Sequence, residues 1–417
     1  MDFAVPFSWV SIWEDMIMKS SPEWMKLSLL VGVLVSNLGF SAEKPPSPID
    51  QQSFAGAALA DGFYNNADGS PIVPLLNSAK YSIDIEIYLM GDHQVLNAIK
   101  SALKRNIHVR IIQEPHPLGG CAIFKPAQLN EDSTCGELRE FVQTVKKKGG
   151  QYVPFNKIEL CGIEGKSCFE HGKIVLVDKK TAMISSGNFN NSNLCDLEDS
   201  PNVCNRDYSF ITNDSQIVSS LETIFEADLR GDHYDVASMM ASLPSKNKLK
   251  LTVSPVSLPE IVQFIDSANQ SIQIQNQYLT EPKINLALIA AARRGVSVDI
   301  MVASVCSFGK PSAQKKTEVQ KTFSVFDRAG MSSRFFTKSI IINGKPGYLH
   351  AKAIVIDGSK AWVGSMNGST EAALQNREYG IFFENADWVA QLSELMHNDQ
   401  LNPESESWQE SINCAKD

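Results

Sequence analysis

Two stretches of this 417-residue chain carry the same reactive side chains at the same spacing. The first reads HGKIVLVD over 171–178, then after six residues SSGN over 185–188, and later NRDY over 205–208. The second reads HAKAIVID over 350–357, GSMN over 364–367 after the same gap, and NREY over 376–379. One His-x-Lys-x4-Asp string arises by chance on the order of 10⁻⁴ per position and means little. Two extended copies at equivalent places are a strong signal. Paired imidazoles and paired ammonium groups suit chemistry at phosphorus. One of His171 and His350 attacks phosphorus, the other protonates the leaving oxygen, and Lys173 and Lys352 neutralise the nonbridging oxygens. Ser186, Asn188, Ser365 and Asn367 are candidate donors to the same oxygens, and Asp207 and Glu378 are candidate carboxylates to hold each imidazole's far nitrogen.

The elements that must position these groups are legible as well. KIVLV and KAIVI are apolar, β-branched runs and read as strands. Residues two apart on a strand share a face, so His171 projects with Lys173 and His350 with Lys352. Asp178 and Asp357 fall on the other parity, face away, and belong to strand-end hydrogen bonding. The constellations sit inside a longer repeat. SAKYSIDIEIYL (78–89) matches SANQSIQIQNQY (267–278), ALKRNIHVRII (102–112) matches AARRGVSVDIM (291–301), and VKKKGGQYVPF (145–155) matches VFDRAGMSSRFF (325–336). Each unit reads as strand, amphipathic helix stopped at Asn106 or Gly295, and strand. IVSSLETIFEAD (217–228) later matches WVAQLSELMHND (388–399), which places Asp228 on Asp399. Two α/β lobes are expected, over 50–230 and 250–417, joined by a polar linker and packed about a pseudo-twofold axis.

Composition is that of an ordinary globular chain, with 43% apolar and 20% charged residues. A net charge of −9 disfavours a dedicated polyanion binder. Residues 1–42 form an N-terminal extension. Met25 and Lys26, the apolar run Leu27 to Val35 and small residues up to Ala42 read as an export signal cleaved near Ser41 or Ala42, so an exported chain (periplasmic or secreted) is expected. Eight cysteines agree with export, and pairs such as Cys161–Cys168 and Cys195–Cys204 would staple loops near the reactive residues. No C-x-x-C or H-x-x-x-H spacing points to zinc.

The duplicated H-x-K-x4-D-x6-G-S-x-N pattern resembles the signature of the phospholipase D superfamily, and the likeness runs over roughly residues 50–400. It implies an α/β fold of two pseudo-symmetric α/β/α lobes, each a mixed sheet flanked by helices, with one site at their interface. It also implies a phosphohistidine intermediate and neither a catalytic metal nor a cofactor. By analogy His171 is the nucleophile and His350 the acid. Ser185 stands where glycine is usual and Asp207 where glutamate is usual, so the two histidines are not expected to be equivalent. The implied substrate is a phospholipid at a membrane surface or in vesicles, with water or an alcohol as acceptor and no obligate protein partner. Pro115, Pro117, Leu118, Ile123 and Phe124, in the longer first copy, are candidates for an apolar rim. A nuclease acting on nucleic acid remains the alternative, with Lys146–Lys148 and Arg293–Arg294 as its best basic runs. A catalytically inactive scaffold would have lost a His or Lys, and all four are present.

Overall fold

The computed structural model describes residues 59–126, 133–157, 168–195, 202–231, 233–243 and 248–416. The export-signal segment Leu27 to Val35 and Cys161 lie outside the described residues. In the first lobe the strands are β1 (Gly62–Asn65), β2 (Ser82–Ile87), β3 (His108–Gln113), β4 (Gln151–Pro154), β5 (Lys173–Val177), β6 (Thr181–Ser185), β7 (Cys204–Arg206) and β8 (Tyr208–Thr212). In the second they are β9 (Lys250–Ser254), β10 (Ser271–Asn276), β11 (Ser297–Ala303), β12 (Ser332–Phe336), β13 (Ile341–Ile342), β14 (Lys345–Leu349), β15 (Ala353–Ile356), β16 (Lys360–Gly364) and β17 (Glu378–Phe383).

The repeat seen in sequence is a repeat of topology. One seven-stranded sheet runs β4-β3-β2-β5-β6-β8-β1 and the other β12-β11-β10-β15-β16-β17-β9, the same order strand for strand. In both, the three strands at one end pair in parallel and the rest antiparallel. Parallel neighbours need a crossover, and helices His93–Lys104 and Pro282–Arg293 supply it in the two lobes. Asn106 (φ 63°) and Gly295 (φ 93°) end these helices with left-handed backbone, as their residue types predict.

Strand alternation decides which layer each side chain enters. Ile83, Ile85 and Ile87 of β2 face an outer core beneath helices Ile72–Ser78, His93–Lys104 and Ser133–Lys147. Ile272 and Ile274 of β10 do the same beneath helices Leu258–Asp266, Pro282–Arg293 and Ala313–Arg328. The inner faces of both sheets share a third core, in which Ile174, Tyr208 and Phe210 join Val355, Tyr379 and Phe383. Helices Ser215–Arg230 and Ala386–Leu401 complete that layer.

Two expectations change. The stretch read as a polar linker contains the helix Val236–Ser242, whose Met239 and Met240 pack against the inner core. The apolar rim expected from the insertion is mostly interior. Pro115, Pro117 and Ile123 are buried, and Phe124 packs inward with its ring 6.1 Å from that of Tyr152. Leu118 alone of the five is exposed. Disulfides Cys121–Cys135, Cys195–Cys204 and Cys306–Cys414 are present, and Cys168 is disulfide-bonded as well.

Candidate active site

Each His-Lys pair lies at the start of a central strand, with Lys173 the first residue of β5 and Lys352 just before β15. Lys173 Nζ donates to the carbonyl of His171 at 2.5 Å, and Lys352 Nζ to that of His350. Both ammonium groups are thereby folded beside their own histidine.

The carboxylates arrive crosswise. β7 runs parallel to β14, with Arg206 opposite Leu349, and the amide of His350 donates to the carbonyl of Arg206 at 3.2 Å. The other half repeats this: His171 N donates to Arg377 O, and Arg377 N to Phe169 O, both at 2.9 Å. The residue after each arginine therefore reaches the other lobe's histidine. His171 Nδ1 lies 2.8 Å from Glu378 Oε2, and His350 Nδ1 lies 2.9 Å from Asp207 Oδ1. With Nδ1 engaged, Nε2 is the nitrogen left for chemistry on each ring.

The polar candidates divide. Ser365 Oγ donates to Glu378 Oε2 at 2.6 Å and Ser186 Oγ to Asp207 Oδ1 at 2.7 Å. A hydroxyl has one proton, so both serines orient carboxylates here instead of donating to phosphate oxygens, which corrects the role read from sequence. Asn188 and Asn367 sit at equivalent places, each with a buried Oδ1 that has no hydrogen-bond partner. Gly187 between Ser186 and Asn188 is required by contact: an added Cβ would sit 2.8 Å from Asp207 Cγ. Asp178 and Asp357 point away, as their parity predicts. Asp178 accepts amides of Lys80, Tyr81 and Ser82, and Asp357 those of Asn269, Gln270 and Ser271.

Sequence reasoning missed three contributors. Asn193 Nδ2 donates to Asp207 Oδ2 at 2.6 Å and lies 3.2 Å from His350 Nδ1. In the other half Asn376 Nδ2 donates to Glu378 Oε1 at 3.1 Å. Asn376 was visible in its motif, whereas Asn193 comes from a different part of the chain and has no spacing to announce it. Tyr88 packs edge-on to His171 with ring centres 4.8 Å apart.

Burial controls the electrostatics. It drives His171 well below the ordinary imidazole value, aided by Lys173 and Lys352, and His350 down to about 4, aided by Lys352 and opposed by Asp207. It lowers Lys173 to about 8 and Lys352 to about 7. The two carboxylates part ways. Burial lifts Glu378 to about 8 against the pull of Lys173. Burial also works against the Asp207 carboxylate, yet His350, Lys352 and Asn193 together hold it below its usual value. The site is thus two-sided in geometry and unequal in charge, as the Asp-for-Glu difference foreshadows.

Two α/β halves that complete each other's imidazoles form a single centre equipped for chemistry at a phosphodiester. The chain belongs to the phospholipase D superfamily: the family described as "Cardiolipin synthase, PLD-like domain" matches residues 72–229 and 261–400. Probable cardiolipin synthase YwiE of Bacillus subtilis (strain 168) is 24% identical over 296 residues, 64% of this chain and 54% of that protein. The chain thus spans about half the length of that relative. A phospholipase D of Rickettsia bellii (strain RML369-C) is 29% identical over 157 residues, 37% of this chain and 68% of that protein. Among solved structures, phosphatidylserine synthase of Haemophilus influenzae Rd KW20 shares the fold, with a TM-score of 0.60 at 14% identity over 87% of this chain and 92% of that one.

Proposed function

We propose that the protein cleaves the head-group phosphodiester of a phospholipid by double displacement at phosphorus. The observation that carries this reading is the crosswise pairing of His171 with Glu378 and His350 with Asp207, which frees two Nε2 atoms beside two ammonium groups. In the first step His171 Nε2 attacks phosphorus, the bond to the head-group oxygen breaks, and His350 gives that oxygen its proton. In the second, water gives a proton to His350 and attacks phosphorus. The P–N bond breaks, which releases the phosphatidate and restores His171. Lys173 and Lys352 face the nonbridging oxygens, where negative charge is carried throughout.

The unequal electrostatics support these roles. His171, depressed by burial and by the charges of Lys173 and Lys352, keeps a free lone pair. His350 lies against the carboxylate that stays ionised. A proton affinity near 4 is too low for an acid at neutral pH, but that is its value in the empty site. An anionic diester between the lysines offsets the charge of Lys352 and raises it. The matching family description and the Bacillus relative's name, which both concern phospholipid chemistry, support a phospholipid substrate. The same names favour a second reading for the second step, in which an alcohol replaces water.

The test incubates the protein with phosphatidylcholine, phosphatidylglycerol or cardiolipin vesicles, with and without a primary alcohol, beside single-stranded DNA at the same salt. Head-group release with phosphatidate as product is expected. A phosphatidyl-alcohol as the sole product would make the protein a transferase, and salt-sensitive DNA cleavage without head-group release would overturn the substrate class.

A further inference from the structure

The second lobe holds a cavity close to the reactive histidines. At the ends of β10 and β11, beneath helix Ala313–Arg328, lies a cavity of about 230 Å³. Its apolar walls include Leu279, Val302, Val305, Val319 and Phe323, and Tyr348 lines it as well. The Tyr348 ring lies 6.5 Å from the His350 ring, and its hydroxyl is held by Gln277 Nε2 at 2.5 Å. On the lip, Phe308 leans edge-on against Tyr348 at 5.0 Å and is 81% exposed. The loop that carries Phe308 is anchored: Cys306 is bonded to Cys414, and the Val305 amide donates to Ser411 Oγ at 3.1 Å. The loop therefore holds Phe308 at the lip, against Tyr348.

The corresponding stretch of the first lobe packs differently. Pro115 and Pro117 are buried there, and Leu89 packs so closely on Gly120 that a Cβ on that glycine would sit 2.4 Å from it. Phe169, the counterpart of Tyr348, is covered by Lys157 and packs on Tyr88. The second lobe thus offers a mostly apolar hollow beside His350.

We propose that this cavity takes the first carbons of one acyl chain of the substrate, with Phe308 and Tyr348 guiding the chain past His350. The proposal rests on the phospholipid reading above and adds where the lipid's apolar part goes. An acyl chain is favoured over a nucleobase because most of the lining surface is apolar, with Leu279, Val302, Val305 and Val319 along the walls, while Lys315 and Glu318 stand among the lining residues to meet the glycerol region.

The test uses soluble diacyl phosphatidylcholines of graded chain length below their micelle concentration, with methyl p-nitrophenyl phosphate as a chain-free diester. For the wild type, kcat/KM should rise roughly fourfold per buried methylene until the cavity is full, then level off. Thr322→Trp, which fills the cavity, and Phe308→Ser, which removes its lip, should flatten the slope. The slope is a ratio within each variant, so a change in total activity cancels. A wild-type slope of zero with the chain-free diester still cleaved would overturn the cavity alone. No cleavage of either diester would overturn the underlying reading with it. Loss of single-stranded DNA cleavage in Phe308→Ser, with phospholipid kinetics unmoved, would make the aromatic pair a base-stacking platform and also overturn the proposal.

Discussion

At the scale of single residues the site is two histidines that look alike and differ in their carboxylates. If His171 is the nucleophile, a leaving group that needs no proton separates the roles. With a p-nitrophenyl diester, His350→Ala should release one equivalent of nitrophenol in a burst and then stall, while His171→Ala should give no burst. On alkyl diesters both variants should lose at least about a hundredfold in kcat/KM. A burst from His171→Ala alone would exchange the assignments. The pH profile follows from the lysines. Their charged forms bind the anionic diester, and burial brings them to about 7 and about 8, so kcat/KM should fall as pH rises through that range. On the acid side His171 stays neutral well below 6.5, so that limb should begin below the ordinary imidazole value. An acid limb centred at 6.5 would contradict the burial argument. The reactive side chains were legible because a duplicated motif repeats residue types at fixed spacing. Which carboxylate serves which histidine was not, since it depends on how two sheets pack. Nor was the use of Ser186 and Ser365, because a hydroxyl's partner is decided by a neighbour some 13 to 21 residues away.

At the scale of elements the Asn-Arg-acid-Tyr strings do more than deliver the acid. Arg377 makes a two-pronged ion pair with Asp228 of helix Ser215–Arg230, at 2.9 and 3.0 Å, and Arg206 makes the same pair with Asp399 of helix Ala386–Leu401, at 2.9 and 2.8 Å. Each arginine thus grips the opposite lobe one residue before the carboxylate it positions. The Arg377 pair is fully buried and the Arg206 pair largely so, so breaking one leaves a charge without its partner. Arg377→Met should lose about 3–5 kcal/mol in urea unfolding, and adding Asp228→Asn should recover part of it. A single substitution within about 0.5 kcal/mol of wild type would show that the latch carries no stability. The alignment of Asp228 with Asp399 was visible in the sequence; its meaning needed the crossing. The strand, amphipathic helix and second strand of each copy were legible through the repeat, and such a unit implies a parallel crossover; the order of the remaining strands was not legible. The helix Val236–Ser242 escaped notice because seven residues hold too few turns to establish a period.

At the scale of the molecule, the inner core belongs to both lobes at once. Phe210 of β8 stacks on Phe383 of β17 at 4.9 Å, and Trp388 packs edge-on against Phe210 at 5.4 Å. A lobe alone would expose this face, lose its partner's carboxylate and leave Asp228 or Asp399 unpaired, so the lobes should not melt separately. Calorimetry should show one transition with matching calorimetric and van't Hoff enthalpies, and two resolved transitions would contradict a shared core. The disulfides act on the same unit. Cys306–Cys414 closes a separation of 108 residues and ties the Phe308 loop to the C-terminal segment. Cross-linking a loop of that size stabilises by roughly 4–5 kcal/mol in the chain-entropy account. Reduction should therefore lower the melting temperature while preserving a single transition, and Cys306→Ser with Cys414→Ser should reproduce most of the loss. These bridges support the proposal that the chain works outside a reducing compartment. On that proposal, protein from its native host should begin near Ala42 or Glu43 and show no free thiol when denatured without reductant. A native product that retains Leu27 to Val35 and titrates as a set of thiols would place the chain in the cytosol. The bridges of the structure would then be pairs of neighbouring thiols, and stability would rest on the shared core and the crossed arginines alone.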